Sequence, residues 1–333
     1  MTVFAELRRL ARRWMIPALL SGVAAATLVA CGGGTSQIHA FVPARLIVFG
    51  DEHSLIVNDG ANNGWKYTVN GLDTTPARDC LLLPLWSQAL ATHYGFVFAE
   101  CNKAAATPQA FMRARLGATV DSASIGASAQ IAAQAAAGSA VQSGDLVAIM
   151  LGANDVIELS DKVQAGTLTA DAAIAEARAR GTRLAEIINQ LLAVGARAIV
   201  ATVPDMGTSP YAQAQDKIAA GAAARLSTLT FEFNARLRTG IDPNRFDGRN
   251  YGLVLADDIV QAMSRYPTSY ALNNVATGVC AVALPNCTSA TADLVATDAT
   301  ASNYLWADDR HLAPSAHTYI GTQAVSRALN NPF

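Results

Sequence analysis

The chain has 333 residues, 51% of them hydrophobic and 15% charged, and a net charge of −2. That length suits one large α/β domain or two small ones and can bury an ample core. The near-neutral balance, with no basic cluster beyond the N-terminus, argues against nucleic-acid binding.

The first segment, residues 1–30, reads as an export signal rather than as folded structure. Arg8, Arg9, Arg12 and Arg13 form a basic region, and residues 15–30 are apolar apart from Ser21 and Thr27. That run is short for a membrane-spanning helix and ends in small residues before Cys31. Leu28-Val29-Ala30-Cys31 resembles a bacterial lipobox, which implies acylation of Cys31 as the mature N-terminus. The glycine-rich stretch 32–36 then supplies a flexible tether, running to residue 43. Gly32 in place of Asp after the cysteine implies, by the same resemblance, the outer membrane of a Gram-negative envelope. An incidental cysteine behind an ordinary secretory signal is the plainer alternative.

Residues 44–333 read as one domain, since no linker after Ser36 divides them. The apolar run Leu46-Ile47-Val48-Phe49 is a buried strand over residues 44–49 that stops at Gly50-Asp51. A polar loop follows over residues 55–79, then a helix over 82–94 with Leu83, Trp86 and Leu90 on one face. Residues 96–99 are the candidate second strand and 122–142 an Ala-rich helix. The strand 146–151 leads to Gly152-Ala153-Asn154-Asp155, and a helix over 170–194 closes at Gly195. A strand over 196–203, a helix over 212–239 and a short strand over 251–255 come next. Residues 268–303 read as an irregular excursion before a last helix over 314–329, with Pro314 in its first turn. Strands alternating with long helices predict a three-layer α/β/α sandwich with a mostly parallel sheet.

Setting Cys31 aside leaves Cys80, Cys101, Cys280 and Cys287, an even number that suits two disulfides in an exported chain. Proximity favours Cys80–Cys101 and Cys280–Cys287, although four cysteines allow three pairings. Zinc is the rival, but the spacings are wrong and no histidine lies close to either pair.

Asn154 follows a buried strand, where its amide could donate to a developing oxyanion; a turn that merely caps the strand is the plainer alternative. Asp308 and His311 lie three residues apart, close enough for the carboxylate to hold the imidazole tautomer of a general base. Of five histidines, His39 lies in the tether, His53 adjoins the first strand, and His93 and His317 fall within helical patterns. His311 is therefore the best base.

The order of these elements resembles the SGNH hydrolases, also called the GDSL esterase/lipase family. The resemblance rests on the strand ending in Gly50-Asp51, Gly152-Ala153-Asn154-Asp155 after the third strand, and Asp308-Asp309-Arg310-His311 near the C-terminus. Leu116-Gly117-Ala118, Val203-Pro204-Asp205-Met206-Gly207 and the segment around Cys280 and Cys287 add to it. It implies a flavodoxin-like sheet, a serine ester hydrolase acting through an acyl-enzyme, no cofactor and no metal. It further implies Asp308 and His311 as base machinery, with Gly117 and Asn154 as oxyanion donors. A monomer with a small-molecule or lipid ester substrate, tied to the membrane only through Cys31, completes the expectation.

One departure stands inside the first motif. The family serine directly follows Gly-Asp, but Glu52 holds that place here, and Ser54-Leu55 come two residues later. If Glu52-His53 is a local insertion, Ser54 is the displaced nucleophile, its N–H serving the oxyanion too. If there is no gap, Glu52 replaces the nucleophile and the protein is an inactive member that binds a glycan or lipid ester. The insertion is the preferred alignment, because the other machinery is intact.

Overall fold

The structure is a computed structural model and describes residues 41–242 and 249–330. The leader, Cys31 and the tether up to residue 40 lie outside the described residues.

Five strands form one sheet: β1 (Arg45–Gly50), β2 (Ala110–Met112), β3 (Asp145–Met150), β4 (Arg197–Ala201) and β5 (Tyr251–Val254). Their spatial order is β2-β1-β3-β4-β5, and every pairing is parallel. The chain leaves β1 to one side for β2, then crosses back to build β3, β4 and β5 outward. The direction of winding therefore reverses between β1 and β3, whose carboxyl ends form the crevice where such folds place their sites.

Leu46 through Phe49 and Leu146 through Met150 are all buried, so the sheet is covered on both faces. The covering helices are α1 (Trp86–His93), α2 (Ala127–Ala136), α3 (Ala153–Gln164), α4 (Ala170–Ala193), α5 (Pro210–Ile218), α6 (Ala222–Gly240), α7 (Ala256–Arg265) and α8 (Pro314–Asn330). Helix α4 packs on α6 and α3, whereas α8 packs on α1 and α7. The predicted three-layer α/β/α sandwich is the observed fold.

Local differences have local causes. Residues 96–99 do not form the second strand; that strand is β2, whose Ala110 and Met112 are buried. A three-residue edge strand next to alanines and a proline leaves almost no periodic signal. The helix expected from residue 82 begins at Trp86, because Leu83 adopts positive φ and Pro84 follows it. The helix expected over 212–239 is two, α5 and α6, divided at Gly221, which adopts left-handed φ.

The loop after β1 and the excursion before α8 hold one another. Asn70 donates from its backbone to Cys287 O (2.9 Å) and from its side chain to Pro285 O (2.9 Å). Val69, Val279, Cys287, Leu294 and Tyr304 make a small second core there. Both disulfides pair as proximity suggested, Cys80–Cys101 and Cys280–Cys287. The buried Lys66 donates to the carbonyls of Cys80 (3.1 Å), Leu82 (2.6 Å) and Leu83 (2.8 Å), fixing the approach to α1.

Gly50 joins this frame to the site. Its φ is +147°, and a Cβ there would lie 2.2 Å from Met150 O, inside the β1–β3 ladder. Gly50→Ala is expected to cost about 3 kcal/mol through backbone strain and steric conflict. The check is urea unfolding: the midpoint should fall at an unchanged slope.

Candidate active site

Beyond Gly50 the chain turns sharply. Ser54 N–H donates to Asp51 O (3.0 Å) and Leu55 N–H to Glu52 O (3.3 Å), which closes a helix-like turn. Successive residues on such a turn rotate by roughly 100–120°. Positions 52 and 54 therefore face away from one another. Glu52 points over the sheet edge, and Ser54 points back into the protein.

Ser54 is fully buried, and its Oγ accepts from Trp86 Nε1 of α1 at 3.0 Å. No hydrogen bond joins it to His311 among the described residues. The insertion alignment expects Ser54 beside His311, and the structure places it against Trp86 instead. Two extra residues on a turn do not return a side chain to the same direction.

Glu52 stands instead among the expected machinery. Its Oε2 accepts from Gly117 N–H at 2.9 Å and from Asn154 Nδ2 at 3.0 Å. Its Oε1 lies 3.5 Å from His311 Nε2, an ion-pair rather than a hydrogen-bond separation. Glu52 is 3% exposed, so the carboxylate is held mainly by protein groups.

Each partner is fixed by its own element. Asn154 lies in the first turn of α3, immediately after β3, and also donates to Ala118 O at 3.2 Å. The loop carrying Gly117 is tied to α3 by Asp155, whose carboxylate accepts from Val120 N–H at 3.1 Å. Arg180 of α4 donates to the same carboxylate at 3.0 Å. Gln130 of α2 spans Gly50, accepting from its N–H and donating to its carbonyl, both at 2.8 Å.

Asp308 and His311 share one tight turn. The Asp308 carboxylate accepts from the backbone N–H groups of Arg310 (3.0 Å) and His311 (2.8 Å), and lies 2.7 Å from His311 Nδ1. Ala307 N–H closes the turn on His311 O at 2.7 Å. The excursion supports it from behind, with Cys280 N–H donating to Ala307 O at 2.9 Å. Gly278 is required there, since a Cβ would come within 2.5 Å of Asp308 Cα.

Glu52, Gly117, Asn154, Asp308 and His311 thus meet at the carboxyl edge of β1 and β3. A sequence profile of GDSL-like Lipase/Acylhydrolase matches residues 46–323, which include all five. The chain belongs to that family. No curated protein matches it. Similar solved structures include an alpha/beta hydrolase enzyme from the metagenome of Lake Arreo, Spain, at 15% identity, covering 87% of this chain and 96% of that one with a TM-score of 0.42. Another is the protein YxiM of Bacillus subtilis, at 16% identity, covering 86% of this chain and 56% of that one with a TM-score of 0.39.

Sequence reasoning left out several residues of this GDSL-like site. Tyr67 sets its ring 5.6 Å from the His311 ring, and burial followed by the Glu52 charge pushes its phenol up. His53, buried behind Glu52, lies 5.7 Å from the His311 ring and 3.0 Å from Asp51 Oδ1 through its Nδ1. Asp155 and Trp86 gave no sign of their roles, because both act on chain segments distant in sequence. Among the described residues no group of three His, Cys, Asp or Glu is arranged for a metal ion.

Charge decides the resting state. Burial alone would raise the Glu52 carboxyl, but His311 and the charge of His53 outweigh it and bring it down to about 2. Burial would likewise lower His311, yet Asp308 and Glu52 outweigh it and lift the imidazole to about 9. Burial would raise Asp308 too, and His311 with two backbone N–H groups lowers it instead. At neutral pH the site is an imidazolium between two carboxylates.

This pairing makes stability depend on pH. The Glu52 contribution is present above its ordinary 4.5 and lost as pH falls through about 2. The His311 contribution is full below its ordinary 6.5 and lost as pH rises through about 9. Glu52→Gln should therefore cost most between these ordinary values, on the order of 3 kcal/mol for one partner of a buried pair. Urea unfolding of both proteins should show the difference shrinking from about pH 6 to about pH 10. A pH-independent difference would mean that lost packing, not the ion pair, carries the cost.

Proposed function

We propose that this chain is a hydrolase of the GDSL-like family whose reacting group is Glu52 rather than a serine. The single observation that carries the reading is the Glu52 carboxylate, with one oxygen on the Gly117 and Asn154 donors and the other facing His311. The coarse function follows from membership in a family of ester-cleaving lipases and acylhydrolases. The finer expectation, an acyl-enzyme on Ser54, lacks support: Ser54 is bonded to Trp86, and the oxyanion site is filled. A substrate carbonyl and the Glu52 carboxylate cannot share the same two donors. Glu52 therefore acts as a base toward water or as a nucleophile.

The strength of the ion pair favours a second reading. With His311 lifted to about 9 and Glu52 lowered to about 2, the site is satisfied without a substrate. On that reading the protein is an inactive family member that binds a glycan or lipid ester.

Activated esters such as 4-nitrophenyl acetate separate the two. Under the first reading Ser54→Ala keeps turnover, and a fluorophosphonate probe labels no serine. Glu52→Gln loses about a hundredfold or more, as removal of an acid–base group does, and His311→Ala loses as much. A parent with no turnover of activated esters or of alkyl halides, in which Glu52→Ser creates ester turnover, would establish the inert reading.

We further propose that the mature protein is exported and lipid-anchored in the envelope, where its substrate would be found. The support is the basic leader and the sequence Leu28-Val29-Ala30-Cys31. No helix among the described residues is long and apolar enough to cross a membrane. Cys31→Ser should block processing or release a soluble protein. Unchanged detergent partitioning of a cleaved Cys31→Ser variant would remove the anchor.

A further inference from the structure

The proposed role of Glu52 leaves open which electrophile it meets, and the two carboxylate oxygens answer differently. Oε2 is committed to two donors, Gly117 N–H and the Asn154 amide. Oε1 is paired with His311 by charge across 3.5 Å and lies on neither donor. An acyl substrate needs the two donors for its own carbonyl oxygen as it becomes tetrahedral. They are unavailable while Oε2 occupies them. An electrophile at a saturated carbon needs no such donors, because no oxyanion forms when it is attacked.

Resting on the Glu52 reading, we propose that the site hydrolyses alkyl substrates that carry an anionic leaving group on a saturated carbon, through an alkyl ester of Glu52. In the first step an Oε1 lone pair attacks the carbon. The bond from carbon to the leaving group breaks with its electron pair, and the leaving group departs as an anion. Glu52 becomes a neutral alkyl ester, and Oε2, as its carbonyl oxygen, keeps the Gly117 and Asn154 bonds.

With Glu52 neutralised as an ester, the His311 imidazolium releases its proton to solvent, and in the second step water attacks Cδ of that ester while the neutral imidazole takes the proton. The carbonyl electron pair moves onto Oε2, where the two donors hold the oxyanion. Collapse breaks the bond from Cδ to the original Oε1, and the alcohol leaves with the proton held by His311. The regenerated acid passes its proton to His311, which restores the resting ion pair. The sum is alkyl substrate plus water giving alcohol, a proton and the leaving-group anion. The water oxygen ends in Glu52, and the alcohol takes the oxygen of the old Oε1.

The surroundings suit an apolar chain. Leu116, next to the donor Gly117, is 50% exposed, and the Tyr67 ring sits 5.6 Å from that of His311, tilted by 37°.

The test uses the full chain with 1-bromohexane and hexyl sulfate as probes. His311→Gln should stall after the first step, so that the peptide containing Glu52 gains the mass of one hexyl group. In oxygen-18 water, with enzyme in excess, the parent should carry the heavy oxygen in that same peptide, and the first hexanol released should be light. Glu52→Gln, checked for its fold by circular dichroism, should show neither mark. If neither probe leaves a hexyl group on His311→Gln or heavy oxygen on the parent, the alkyl proposal is overturned. Should 4-nitrophenyl acetate still be cleaved in a Glu52-dependent way, the role of Glu52 survives and only its electrophile changes. Should hexanol instead appear with Glu52→Gln as fast as with the parent, both fall together.

Discussion

A buried carboxylate held at both ends is the constraint on which the rest of this site depends. Glu52 spans the Gly117 N–H and the Asn154 amide with one oxygen and faces His311 with the other. Donors aimed at a developing charge accelerate a reaction only when they bind the transition state more tightly than the ground state. Here a full negative charge already rests on them. Gly117 and Asn154 consequently offer little differential stabilisation to chemistry at an external carbonyl. The same donors become useful again only after Glu52 has lost its charge. On the proposed reading, the family scaffold is retained and the step at which these donors act has moved.

The architecture was largely legible in the chain. The long apolar runs at β1 and β3 and the uninterrupted pattern of α4 are strong periodic signals, and they fixed the class of fold. The edge strand β2 was not, because Ala110, Phe111 and Met112 make three residues without alternation. Helices α3 and α7 were also unread. Asn154 and Asp155 look like turn residues until the helix they begin is known. Helix α7 opens with Asp257 and Asp258 straight after a strand, leaving no loop to announce it.

The site was legible in part for a related reason. Asp308 and His311 lie within one turn, so their partnership follows from spacing alone. Gly117, Asn154 and Glu52 come together from three separate stretches of the chain, which only the family order could relate. The direction of a side chain on the turn after β1 was the hardest matter. Sequence places Glu52, His53 and Ser54 side by side, but the turn sends neighbours to opposite faces. Whether position 52 or 54 faces His311 depends on backbone geometry that no residue identity states. The Trp86 indole, reaching Ser54 from α1, settles its direction in the fold.

The charges around His311 also order the proposed steps in time. While Glu52 is ionised, the imidazole faces carboxylates on both sides and is lifted to about 9. It then holds its proton at neutral pH and cannot take one from water. Neutralising Glu52 removes one of those two charges and leaves Asp308 alone to support the imidazolium. An opposite charge within a few ångströms favours the protonated form, so losing it lowers the imidazole toward its ordinary value. His311 thereby becomes a base only once Glu52 has reacted. The Asp308 contact at Nδ1 leaves Nε2 turned toward the Glu52 carboxylate. The ion pair that quiets the resting site is, on this argument, what delays the base until an intermediate exists for water to attack.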